Sequence, residues 1–251
     1  MIMSHFSEVE GLPISLISER TRFTPPSGPV NANIKAQEKK TGTTTVGLVG
    51  KEFVLLAADQ QATMGNMAAD DDAAKVYKIT SRVGLTISGA VGDSLAVIRF
   101  LKAQANLYEI ERETNITPKA ITTLLSNVLN GNRYYPYIFM PIVGGINKAP
   151  QLYELTPFGC VSKKKKYAVT GSGTELAIGI LDSDYREGMT QEESIQLAVK
   201  AIMTSKNRDI YTGGKSISMV IITKSEYRKI DDKEVEKAVS KVKLNFSKVG
   251  K

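Results

Sequence analysis

Gly42-Thr43-Thr44-Thr45-Val46-Gly47-Leu48-Val49 is where the chain changes texture. After the glycine, a β-branched run reads as a strand from Thr43 to Val49. Upstream, Thr24-Pro25-Pro26-Ser27-Gly28-Pro29 and Asn31-Ala32-Asn33 break any regular period, so residues 1–42 read as mostly unstructured. That composition suits a leader that is later removed and a plain disordered tail equally.

Downstream, Glu52–Asp59 reads as a second, apolar strand and Arg82–Gly89 as a third, with Val83, Leu85 and Ile87 alternating. Short glycine-bearing turns between them imply antiparallel pairing. Asp93 to about Glu111 has the spacing of a helix with Leu95, Ile98, Leu101 and Ala105 on one face. Thr117 as N-cap and Pro118 at the first position open a second helix that ends at Asn130-Gly131. Strands are predicted at Tyr137–Val143, Gln151–Leu155 and Ala168–Thr170, and helices at Thr174–Ser183 and Gln191–Ser205, the last with a capping box from Thr190 and Glu193. Ile217–Thr223 is a final apolar strand. Arg228–Lys251 reads as a basic C-terminal extension, a solvated tail or short helix. Strand group, helix pair, strand group, helix pair, strand is not the alternation of a parallel sheet. It predicts an α+β fold of two antiparallel sheets packed face to face with helices on both outsides, a four-layer α/β/β/α sandwich.

The composition narrows the chemistry. A chain of 251 residues with 42% hydrophobic and 24% charged residues can build one substantial core. No apolar run approaches the roughly 20 residues of a membrane helix, and Met1–Glu10 holds Glu8 and Glu10 with no apolar signal region. The single cysteine, Cys160, cannot form an internal disulfide, so a cytoplasmic setting is expected. The net charge of +7 raises nucleic-acid binding, but outside Lys163-Lys164-Lys165-Lys166 and the C-terminus the basic residues are dispersed, so no nucleic-acid partner is expected. The only histidine, His5, lies in the unstructured part. A Ser-His or Cys-His catalytic pair therefore has no placed imidazole, and a His/Cys zinc site is excluded by count. No cofactor or metal is expected.

A threonine with a free α-amino group needs no histidine. Its hydroxyl is the nucleophile, and its own amine, titrating near about 8, is the base. Such a site also needs a fixed cation, held by a carboxylate, and a backbone N–H for the oxyanion. Asp59 at the end of the second strand, Lys75 ahead of the third and Gly89 at that strand's end supply those groups. Thr43 directly after Gly42, Asp59 sixteen residues on, Lys75 thirty-two on, then Ser88-Gly89-Ala90-Val91-Gly92-Asp93 closely resembles an archaeal-type proteasome β subunit. Leu124-Leu125-Ser126-Asn127 with Tyr134-Tyr135-Pro136-Tyr137 extends the resemblance, as do Val143-Gly144-Gly145, Thr170-Gly171-Ser172-Gly173 and Arg208-Asp209 before Gly213-Gly214. It covers about residues 41–225.

The resemblance implies an N-terminal-nucleophile hydrolase fold. Residues 1–42 become a propeptide removed by self-cleavage between Gly42 and Thr43, and residues 43–251 the catalytic domain. Thr43 is the nucleophile, Lys75 lowers its pKa, Asp59 orients Lys75, Gly89 N–H is the oxyanion donor, and Ser172 and Asp209 surround the Thr43 amine. Thr63 binds the substrate backbone, while Ala62, Ala73, Ile87 and Val91 line an apolar pocket for the residue before the cut. Implied partners are α-subunit rings, other β subunits in heptameric rings of a four-ring stack, an ATP-driven unfoldase and unfolded polypeptides. Gln61 stands where arginine is common in the family, and Thr212 where serine is common. The alternatives are a non-catalytic or slowly processed β subunit serving ring assembly, and a different N-terminal-nucleophile enzyme.

Overall fold

Val54–Asp59 is apolar on both sides of its pleat because both of its faces are covered. Val54 and Leu56 face a second sheet, while Leu55 and Ala57 face helices. The computed structural model describes residues 42–249, with side chains through Val242. The expected leader, residues 1–42, lies outside them apart from Gly42.

One sheet is built from β1 (Thr44–Val49), β2 (Val54–Asp59), β10 (Tyr167–Gly171), β11 (Ile217–Ile222) and β12 (Tyr227–Lys229), in the order β10-β1-β2-β11-β12. The other holds β5 (Val76–Lys78), β6 (Val83–Thr86), β7 (Ile142–Ile146), β8 (Pro150–Leu155) and β9 (Val161–Lys164), in that order. Every pairing is antiparallel. Between the sheets lie Val54, Leu56, Ile142, Leu152, Val220 and Ile222. Helices α3 (Thr174–Asp184) and α4 (Gln191–Lys206) cover the first sheet through Leu181, Ile195, Val199 and Ile202. Helices α1 (Val91–Arg112) and α2 (Pro118–Gly131) cover the second through Val97, Leu101, Ile121 and Leu125. The fold is the expected α+β sandwich in four layers. No described helix is long and apolar enough to cross a membrane.

The predicted caps form. Thr117 Oγ1 accepts from Ala120 N–H at 3.1 Å ahead of Pro118, and both halves of the Thr190–Glu193 capping box are made. Three expectations need correction. The strand predicted at Tyr137–Val143 lies instead at Ile142–Ile146, because Pro136 and Pro141 interrupt the segment before it. Only Phe139 pairs there, as an isolated bridge to Gly89. The helix predicted from Asp93 begins at Val91, and the Asp93 carboxylate instead accepts the Ile138 N–H at 2.9 Å. Where a solvated tail or short helix was expected at Arg228–Lys251, the described residues end β12 and then form a longer helix, α5 (Asp232–Val249). Val235, Ala238, Val239 and Val242 recur at helical spacing and pack on the first sheet's outer layer, a period that the lysines between them obscured. A hairpin of β3 (Ala62–Met64) and β4 (Met67–Asp70) lies between β2 and β5.

Val235 is 2% exposed whereas Lys233 is exposed. Val235→Ala is therefore expected to lower unfolding stability by about 1–3 kcal/mol and Lys233→Ala to change it by under about 0.5, both read from urea denaturation.

Candidate active site

Thr43 sits immediately before β1, so its side chain shares a face with Thr45 and Gly47. That face looks at the second sheet: a Cβ on Gly47 would lie 2.7 Å from Leu152. Asp59 closes β2, the neighbouring strand, and Lys75 precedes β5 across the gap between sheets. The three side chains meet. Lys75 Nζ donates to Thr43 Oγ1 and, at 2.8 Å, to Asp59 Oδ1. Thr43, Asp59 and Lys75 are all buried, at 4%, 0% and 5% exposure.

Asp59 is held from every side. Its Oδ1 also accepts Thr44 N–H at 3.0 Å, and its Oδ2 accepts Gly213 N–H at 2.8 Å and Gln61 N–H at 3.3 Å. Burial pushes the Lys75 ammonium below its usual pKa, against the opposing pull of the Asp59 carboxylate and, more weakly, of Asp209. Its proton is thus easier to give up than that of an exposed lysine, while Asp59 keeps it beside the Thr43 oxygen.

A second carboxylate approaches the main chain of Thr43. Thr43 N–H donates to Ser172 Oγ at 3.1 Å, and Ser172 Oγ–H donates to Asp209 Oδ2. The same Asp209 oxygen accepts from Thr212 Oγ1, which pairs with Thr44 Oγ1 at 2.7 Å. The Thr212 hydroxyl thus links Asp209 to Thr44. Gly171, at φ +110°, opens the turn before α3, and a Cβ there would strike the Thr43 carbonyl oxygen at 2.0 Å. Gly89, at φ +126°, ends the extended segment after β6, where a Cβ would meet the Ile138 carbonyl oxygen at 2.3 Å.

Residues 39–222 match the family described as proteasome subunit. The chain belongs to the proteasome subunit family. The protein named proteasome subunit beta of Methanocaldococcus fervens is 43% identical over 203 residues, which cover 80% of this chain and 90% of the relative. That of Methanoregula boonei is 43% identical over 206 residues, 82% and 96% of the two chains. That of Methanococcus vannielii is 41% identical over 208 residues, 82% and 94%.

The remaining residues singled out for this proteasome-family chain fall as follows. Thr63, on β3, accepts Gly42 N–H through Oγ1 at 3.2 Å. Ala62 beside it and Ala73 after the hairpin are half-buried. Val91 is 47% exposed at the start of α1, whereas Ile87 is 2% exposed and packs into the core under α1 and α2. Gln61, which stands where arginine is common in the family, turns its amide toward the Ile210 carbonyl at 3.1 Å and so is tied to the 210–213 loop. A groove of about 930 Å³ bounded by Lys215, Lys229, Val235 and Val239 contains none of these residues. The reading from sequence missed the N–H groups of Thr44 and Gly213 on Asp59 and the Thr44 hydroxyl, since main-chain donors leave no side-chain signature.

The Asp59–Lys75 pair makes a stability prediction. Asp59→Asn leaves Lys75 an uncompensated buried cation and should cost about 3–5 kcal/mol, of which adding Lys75→Met should recover a large part. Urea denaturation of the two single variants and the double variant reads the coupling. Lys75 has a folded pKa below its unfolded one, so between the two values the unfolded chain binds more protons. Across that window, up to about pH 10.4, the stability of the native chain should rise with pH relative to Lys75→Met.

Proposed function

We propose that this chain is a catalytic β subunit of the proteasome core particle, a threonine endopeptidase that activates itself by cleavage between Gly42 and Thr43. The observation that carries this reading is the buried contact from Lys75 Nζ to Thr43 Oγ1, with the same ammonium on Asp59 Oδ1 at 2.8 Å. A lysine oriented by a carboxylate against a threonine hydroxyl stabilises negative charge on that oxygen.

Residues 1–42 act as a propeptide. While they are attached, the Thr43 nitrogen is an amide donating to Ser172 and has no basic lone pair. The Thr43 hydroxyl lies two bonds from its own Cα, so attack on the Gly42 carbonyl closes a five-membered ring. Collapse breaks the Gly42–Thr43 C–N bond, and the hydroxyl proton passes to the departing nitrogen with Lys75 beside it. Water then hydrolyses the ester, releasing the propeptide as a Gly42 carboxylate and leaving Thr43 with a free amine and hydroxyl.

In the mature chain, residues 43–251, the amine takes the hydroxyl proton as Oγ1 attacks a peptide carbonyl. Lys75 and the Gly89 N–H stabilise the developing charges. The amine then gives its proton to the leaving nitrogen, and a water molecule hydrolyses the acyl ester. Ser172 and Asp209 keep the amine oriented. An extended substrate adds a strand alongside Thr63. Ala62, Ala73 and Val91 border an apolar pocket backed by Ile87 from the core, which favours hydrophobic residues before the cut. The β subunits stand in heptameric rings between α rings in a four-ring cytoplasmic particle, fed with unfolded polypeptides by an ATP-driven unfoldase.

Intact mass and N-terminal sequence of the chain, co-expressed with a matching α subunit, test the reading. The native chain is expected to start at Thr43 and Thr43→Ala to stay uncut. A native chain keeping residues 1–42 in assembled rings would leave a non-catalytic subunit serving ring assembly. With the processed enzyme, kcat/KM for a peptide amide should rise through about pH 7–8 as the amine loses its proton. A flat profile there would exclude the amine as base.

A further inference from the structure

The inter-sheet core is aliphatic at Val54, Leu56 and Ile142 but changes character toward Thr43. There Thr45 and Thr170, direct cross-strand partners on β1 and β10, face Thr86 at the end of β6 and Ser88 two residues after it. All four are buried, at 0%, 3%, 0% and 3% exposure. Valine in place of each threonine would keep the shape with no hydroxyl to satisfy. Buried hydroxyls are tolerated only when bonded, and these are bonded to one another.

The bonds form a directed chain. Thr86 Oγ1 donates to Thr45 Oγ1 at 3.2 Å, Thr45 Oγ1 pairs with Thr170 Oγ1 at 2.8 Å, and Thr170 Oγ1 donates to the Met140 carbonyl at 3.1 Å. Ser88 Oγ lies 3.1 Å from both Thr170 Oγ1 and that carbonyl. With Thr45 donating to Thr170, each of the four hydroxyl protons has an acceptor. The chain ends on the segment that holds Gly89: Met140 N–H donates to the Ser88 carbonyl at 2.8 Å, Ala90 N–H to the Ile138 carbonyl at 2.6 Å, and Gly89 pairs with Phe139. Through Thr45, midway along, it grips β1 two residues beyond Thr43. A Cβ on Gly171 would touch both the Thr43 carbonyl and, at 3.5 Å, the Ser88 side chain, so Thr43 and Ser88 lie close together.

We infer that Thr45, Thr86, Ser88 and Thr170 are positioning residues, a hydroxyl clamp that sets the Gly89 segment against the strand bearing Thr43. The inference rests on the reading of Thr43 as nucleophile and Gly89 as oxyanion donor. The clamp touches no substrate. It fixes, across two sheets, the separation between the attacking oxygen and the donor for the oxyanion, a geometry in which a small misplacement lowers kcat and leaves ground-state binding alone.

The test uses assembled particles, with rates expressed per cleaved Thr43 terminus. Thr170→Val keeps the volume and removes the central hydroxyl. It is expected to lower kcat for a peptide amide by about ten- to a hundred-fold with KM within about two-fold. Thr170→Ser should return most of the rate. Affinity for a peptide aldehyde, which forms a tetrahedral adduct with the Thr43 oxygen, should fall in parallel with kcat. Wild-type kcat in Thr170→Val, or an equal loss in Thr170→Ser, overturns the clamp. Should Thr170→Val fail to assemble, Thr45→Val is judged by the same criteria. Native particles without Thr43-dependent hydrolysis would overturn the reading of Thr43 and the clamp with it, and that control separates the two failures.

Discussion

The site depends on one buried carboxylate. Asp59 accepts the Lys75 ammonium and three main-chain N–H groups, from Thr44, Gln61 and Gly213. Those donors belong to β1, to the turn after β2 and to the loop before β11. A buried ion pair is a poor way to gain stability, because desolvation offsets most of the attraction. Stability therefore does not account for this pair at the buried end of β2, where every partner is aligned. The aliphatic core around Val54, Leu56 and Val220 carries the stability and leaves this end of the sandwich free to hold charge.

The fold was legible where side chains announce their surroundings. Val54–Ala58 and Met219–Ile222 are continuously apolar because the sheet faces one layer of helices and another sheet, and Thr117 and Thr190 mark helix starts by bonds that form. It was least legible where tertiary contacts outweigh local pattern. Phe139 is strand-like by composition but is held by a single bridge to Gly89. The three-residue strand β3 is too short and exposed to show a period. In α5 the lysines hide an apolar stripe, because a helix with one face in water is charged over most of its surface.

Thr43, Asp59, Lys75 and Gly89 were legible by side-chain type and place along the strands, whereas Ser172 and Asp209 came only with the family resemblance. Thr43, Asp59 and Lys75 meet, and Ser172 and Asp209 join them through the Thr43 nitrogen. The main-chain donors on Asp59, and the depth at which Ile87 packs, could not be read from sequence, since both depend on how the sheets close. Gly171 showed in the sequence only as part of Thr170-Gly171-Ser172-Gly173. The Thr43 carbonyl fills the space that its side chain would take, so it is a contact surface.

The parts of the site are far apart along the chain. Thr43 meets Ser172 across 129 positions, Asp59 meets Gly213 across 154, and Thr44 meets Thr212 across 168. Contacts of such sequence separation form late, since loop closure must precede them. During synthesis the threonine emerges early, but the groups that surround it arrive only when the segment before β11 has been made and has docked. Folding order therefore acts as a timer: a nascent or half-folded chain carries Thr43 without the groups that surround it in the folded protein.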